Sequence, residues 1–175
     1  FDLRSLPPTI KDVVLTSNRI TFLTGDDDED YAFPSLTSLD ASSNGISFIP
    51  DSFFHYASQI RKLNLSSNVI SHLPRTPFPI TLATLDLSNN GISDYPDLSQ
   101  LRVLTHVDLS SNRLVEPPII PSSLLHLNLS GNFIQSLEYL FPENTRDIEE
   151  TKLLELKVRG NKIKVLSTSI FLYMT

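Results

Sequence analysis

The sequence predicts an α/β solenoid, a stack of short coils with one parallel β-sheet running through the stack and a mostly irregular or 3₁₀ back. Three observations predict it. Seven asparagines, Asn18, Asn44, Asn68, Asn90, Asn112, Asn132 and Asn161, end copies of one frame, L-x-x-L-x-L-x-x-N-x-I/L. Their spacings of 26, 24, 22, 22, 20 and 29 residues lie in the range where each copy of a repeat makes one turn. All 12 prolines fall outside the strand cores of these frames, as they must, because proline cannot donate to a sheet ladder.

Within each frame the apolar residues at the fourth and sixth places alternate with polar ones, the period-two signature of a half-buried strand. The first copy, Ile10/Val13/Leu15/Asn18/Ile20, turns Val14 outward. The second, Leu36/Leu39/Ala41/Asn44/Ile46, has alanine where the others carry leucine or valine. The third and fourth show the alternation cleanly, in Leu63-Asn64-Leu65-Ser66 and Leu85-Asp86-Leu87-Ser88. The fifth, Leu104/Val107/Leu109/Asn112/Leu114, and the sixth, Leu124/Leu127/Leu129/Asn132/Ile134, each place a histidine before the strand's central apolar residue. The seventh is Leu153/Leu156/Val158/Asn161/Ile163. One turn cannot bury its leucines alone, so neighbours must stack in register. The asparagine closes each strand, where the chain bends inward and would bury backbone N–H and C=O groups without partners. A primary amide both donates and accepts, so it can satisfy the turn of its own coil and the next. Gly45, Gly91, Gly131 and Gly160 stand beside ladder asparagines and are expected to serve turns.

Between strands, proline-rich segments such as Val115-Glu116-Pro117-Pro118-Ile119-Ile120-Pro121 must cross the back in extended or 3₁₀ form. Two segments, Asp51 to Gln59 and Pro142 to Glu150, are able to hold a helical turn, each with a suitable capping or first-turn residue.

The 175 residues, 40% hydrophobic, are expected to form a single domain over 1–175 with about seven repeats, cut from a longer protein. No stretch approaches the roughly 20 apolar residues of a membrane span, so direct membrane insertion of this segment is not expected. The tail Ile170-Phe171-Leu172-Tyr173-Met174 is expected to cover the open end or begin a further repeat. The net charge of −6 is concentrated in Asp26-Asp27-Asp28-Glu29-Asp30, an expected loop. Near the other end Lys152, Lys157, Arg159, Lys162 and Lys164 surround one acid, Glu155, which suggests head-to-tail self-association. There is no cysteine, which fits a cytosolic protein without excluding secretion. Two glycosylation sequons, at Asn64 and Asn128, arise from the repeat frame itself.

No glycine-rich phosphate loop, G-x-S-x-G elbow, H-E-x-x-H helix or nucleophilic cysteine occurs, so no catalytic residue, metal site or cofactor is assigned. Nucleic-acid binding would need a basic stripe with stacking aromatics, and the outward positions are neutral to acidic. Those positions form two columns. One reads Val14, Asp40, Asn64, Asp86, Asp108, Asn128, Lys157, and the other Asp12, Ser38, Lys62, Thr84, His106, His126, Glu155. The candidate binding residues are Asp40, Lys62, Asn64, Thr84, Asp86, His106, Asp108, His126 and Asn128, all projecting from a rigid sheet. Strands of about five residues would give a face of roughly 560 Å², short of the roughly 800 Å² a standard protein interface takes from each partner.

The frame resembles that of the leucine-rich repeat family over roughly residues 8–170. The resemblance implies a right-handed solenoid, a horseshoe arc with the parallel sheet on its concave face. The endings L-S-S-N, L-S-N-N and L-S-G-N look like those of receptor-like kinase or receptor-like protein ectodomains of plants and oomycetes. The plant element G-x-I-P after the ladder asparagine is missing; Ile49-Pro50, Leu73-Pro74 and Tyr95-Pro96 are the nearest equivalents. The resemblance implies an extracellular, cell-surface domain that binds a protein or peptide ligand. The alternative is a cytoplasmic scaffold or enzyme regulator using the same face.

Overall fold

The computed structural model describes residues 6–23, 35–74, 78–140 and 151–164. Seven strands, β1 Asp12–Val14, β2 Ser38–Asp40, β3 Lys62–Asn64, β4 Thr84–Asp86, β5 His106–Asp108, β6 His126–Asn128 and β7 Glu155–Lys157, form one parallel sheet in chain order. The register aligns the frames residue for residue, with Val13, Leu39, Leu63, Leu85, Val107, Leu127 and Leu156 in one inward column. Leu65, Leu87, Leu109 and Leu129 form a second column, each fully buried. At roughly 25 cal/mol per Å² of apolar surface, burial of these side chains is the main force holding turn to turn.

Each strand is three residues long rather than about five, because the pleat gives way to a turn two residues beyond the central leucine. Turn-to-turn bonding nonetheless continues past the strands: Leu65 N–H donates to Asp86 O at 2.8 Å and Ser67 N–H to Ser88 O at 2.9 Å. The inward bend is made by a left-handed residue just before each ladder asparagine. Ser17, Ser43, Ser67, Asn89 and Ser111 have φ of 54–59°, and Gly131 and Gly160 have φ of 71°. Gly45 and Gly91, which follow their asparagines, do not have positive φ, so only two of the four glycines serve the bend by conformation.

The ladder works backwards along the chain, not forwards. Asn44 Oδ1 accepts the N–H of Ile20 at 3.0 Å, and its Nδ2 donates to Leu15 O, in the preceding turn, and to Ala41 O and Ser42 O in its own. Asn68, Asn90, Asn112, Asn132 and Asn161 repeat the two bonds to the preceding turn. Asn18 donates to carbonyls of its own turn, Leu15 O and Thr16 O, and is exposed.

On the convex side a tight turn leads into the first leucine of most frames, and proline often enters it through the carbonyl. Pro7 O, Pro79 O and Pro121 O accept the N–H of Ile10, Leu82 and Leu124 at 3.0, 3.0 and 3.2 Å. The helix expected over 51–59 is the single turn α1, Phe53–Tyr56, and Ser52 makes no side-chain cap bond to it. Its place is held by packing: Phe53, Phe54 and Tyr56 are buried, and Phe54 meets Phe78 with ring centroids 5.1 Å apart. A 3₁₀ turn spans Glu138–Leu140, and an isolated parallel bridge joins Asp97 to Ile119. The acidic run 26–30, the helical candidate 142–150, the tail 170–174 and Pro34, Pro77 and Pro142 lie outside the described residues.

Candidate functional site

The register places every sequence-derived candidate in the column expected of it. Asp40, Asn64, Asp86, Asp108 and Asn128 stand side by side, and so do Lys62, Thr84, His106 and His126. What the sequence reading missed is that the first column is also structural. Each of its acids or amides accepts the N–H of the serine two residues on, at 2.8–3.1 Å, and thereby caps the strand where the backbone leaves the sheet. Four of them also accept that serine's hydroxyl, at 2.6–2.8 Å. The signal lay in the D/N-x-S spacing, because Asp and Asn bond readily to backbone two residues on.

The amides in this column offset the repulsion between neighbouring carboxylates. Asn64 Nδ2 donates to Asp40 Oδ2 at 3.1 Å, and Asn128 Nδ2 donates to Asp108 Oδ2 at 2.9 Å. Burial pushes the Asp40 carboxyl up, but the Ser42 hydroxyl and N–H, Thr16 and Asn64 together outweigh it and hold the group below its ordinary 3.8. Both sequon asparagines therefore have oxygen and nitrogen engaged within the sheet.

In the second column the rings of His106 and His126 stack, with centroids 4.6 Å apart and 22° between planes. Thr105 Oγ1 meets His106 Nδ1 at 2.9 Å and fixes that ring. His126 Nδ1 lies 3.5 Å from Glu155 Oε2, and Lys157 Nζ lies 3.1 Å from Glu155 Oε1. The Lys157 hydrogen bond, with smaller help from His126, outweighs desolvation and holds the Glu155 carboxyl below its usual range. Among the described residues no group of three or more His, Cys, Asp or Glu is arranged to hold a metal ion. No described helix is long and apolar enough to cross a membrane.

Just past the ladder a third set of side chains emerges, four residues after each of the first four asparagines. It starts with Phe22 and Phe48, about half exposed, and continues with His72 and Asp94, whose side chains meet at 3.0 Å. The repeat frame places these residues together, though their distance from the sheet hid the pairing in the sequence.

Comparison with known proteins agrees with this geometry. Residues 34–78 match a family profile described as leucine rich repeat, and residues 79–94 match a second profile of the same description. The chain carries leucine-rich repeats. It is 30% identical to epiphycan of Gallus gallus over 179 residues, which covers 99% of this chain and 56% of that protein. It is also 30% identical, over 78% of its length, to leucine-rich repeats and immunoglobulin-like domains protein 3 of Homo sapiens, of which the match spans 12%. The chain thus spans about half, or much less, of the curated relatives it matches. A leucine-rich repeat protein of Leptospira interrogans has the same fold, with a TM-score of 0.70 and 24% identity over 93% of this chain and 40% of that one.

Proposed function

We propose that this leucine-rich repeat chain is a non-catalytic recognition module that holds an extended protein or peptide segment on its concave face, outside the cell. One observation carries the reading: two columns of outward side chains, in register over seven strands and polar at every position but Val14, are held in place by the serine caps and the stacked histidines. A preorganised polar surface of this kind loses little side-chain entropy on binding. With three-residue strands the sheet face is roughly 330 Å², far below the roughly 800 Å² of a standard interface half. An extended segment one strand wide suits it better than a globular surface does.

The extracellular setting is supported by the human relative, whose name pairs leucine-rich repeats with immunoglobulin-like domains, an architecture shared by many cell-surface modules. A kinase-linked receptor of the plant or oomycete kind is a narrower version; the curated relatives above come from chicken and human and lend it no support.

The test is affinity capture from secreted protein with the native chain and with an Asp86→Arg/His106→Glu variant. Partners recovered by the native chain and lost from the variant support the reading. Equal recovery by both removes the concave face from consideration.

A further inference from the structure

Resting on that reading, the geometry points to a more specific occupant for the middle of the face: a net-basic extended peptide whose arginine side chain seats its guanidinium between Asp86 and His106. The outward positions of the seven strands hold five acids against two lysines, and Lys157 is already paired with Glu155 at 3.1 Å. On β4, β5 and β6 those positions hold Asp86 and Asp108 and neither lysine nor arginine. A ligand of complementary charge is therefore cationic.

Among the aspartates of the first column Asp86 is distinct. Asp40 Oδ2 and Asp108 Oδ2 each accept an amide N–H from the asparagine one turn on. The residue one turn on from Asp86 is Asp108, which has no proton to give. Asp86 Oδ1 is held by Ser88, and no neighbouring side chain among the described residues donates to Oδ2. That oxygen is left for a charge-assisted donor from a ligand.

The adjoining column supplies a stacking surface. One face of the His106 ring rests on His126, and the opposite face looks along the column to Thr84, a side chain too short to cover an imidazole. A planar group stacked there would lie about 3.5 Å from the ring and above Thr84, within one strand step of about 4.8 Å. Arginine fits this slot better than lysine, because its planar group can stack and present two donors at once. Lys62, on the far side of Thr84, closes the slot with like charge. An acidic peptide would meet Asp86 and Asp108 with repulsion, and an apolar one would bury carboxylates without partners.

The test is an NMR titration of the 175-residue chain with blocked Ser-Arg-Ser-Arg-Ser, its lysine counterpart and its glutamate counterpart. The arginine peptide is expected to shift amide resonances around Asp86 and His106, the lysine peptide to bind at least about threefold more weakly, and the glutamate peptide not to bind. Asp86→Asn should weaken the arginine peptide about tenfold and still fold, because Asn64 and Asn128 make the same serine cap at equivalent positions. Equal affinity for arginine and lysine peptides, undiminished binding to Asp86→Asn, or shifts centred elsewhere overturns the proposal. Capture of a protein partner that depends on the concave face, combined with no binding of the arginine peptide, sinks this proposal and leaves the recognition reading standing. Loss of both sinks both.

Discussion

Asn68 completes the turn that belongs to Ile46. Its Oδ1 accepts the Ile46 N–H at 2.9 Å, one turn back, while its Nδ2 donates to Leu65 O at 2.9 Å in its own turn. The backbone of each turn is thus satisfied by the turn that follows it, so adjacent turns share their polar bookkeeping as well as their leucines. Cooperativity between neighbours, the condition for a one-dimensional stack to behave as a unit, has a polar component here.

The ladder predicts a graded cost along the chain. Asn112→Ala would strand the Ile92 N–H and take one of two amide donors from the carbonyls of Leu87 and Leu109, which keep Asn90 and Asn132, and is expected to lower stability by about 2 kcal/mol. Asn18→Ala, at an exposed position with bonds to its own turn, is expected to cost less than about 1 kcal/mol. Urea denaturation of the two variants checks this, and equal costs would show that the cross-turn bonds carry no weight.

The bend residues predict a contrast between glycines. Gly131 has a φ of 71°, and a Cβ there would lie 3.4 Å from the Ser111 nitrogen. Gly131→Ala should therefore cost about 1–2 kcal/mol, the strain of a side chain in the left-handed region. Gly45 lacks positive φ, and a Cβ there would meet Ile20 O at an ordinary 3.5 Å. Gly45→Ala is expected to stay within about 0.5 kcal/mol of the native chain. Thermal unfolding of the pair distinguishes them.

Particular residues show what the sequence made legible. The inward leucines and the two outward columns follow from period-two alternation, which leaves Leu63 and Leu85 no other face to take. The register follows from seven copies of one frame, which alone puts His106 beside His126. The capping role of Asp86 and Asp108 stayed hidden because an outward aspartate in a strand reads first as a solvated charge. Whether an asparagine bonds forward or backward depends on how the turn is tilted, which no spacing states. The convex side was least legible, since Phe53 and Phe54 take their places from packing against Phe78 rather than from a helical pattern.

Asp40 predicts an acid-sensitive contribution to stability. Its carboxyl is held below 3.8 in the folded chain, so the folded state binds this proton less readily than the unfolded state does. The stabilisation is fully present above the unfolded value and is lost as pH falls through the folded one. Asp40→Asn removes this titration while keeping an acceptor for Ser42. The stability difference between native chain and variant should shrink as pH is lowered from about 6 to about 2. Urea midpoints across that range measure it, and a difference independent of pH would show that the carboxylate is not the group that matters.

The sequon at Asn64 predicts that the two obvious ways to remove it will not be equivalent. Asn64 Oδ1 accepts both the N–H and the hydroxyl of Ser66, and Nδ2 donates to Asp40 Oδ2. Glutamine carries its amide one methylene further out and cannot hold the two-residue cap, so Asn64→Gln loses all three bonds. Ser66→Ala loses the hydroxyl bond but keeps the backbone cap and the contact with Asp40. In protein made without glycosylation, Asn64→Gln is expected to cost about 1–2 kcal/mol and Ser66→Ala about 0.5–1 kcal/mol. Urea denaturation of both variants decides the order. If Asn64→Gln proves as stable as the native chain, the concave asparagine is free of structural duty, and any effect of its removal in glycosylated protein belongs to the sugar.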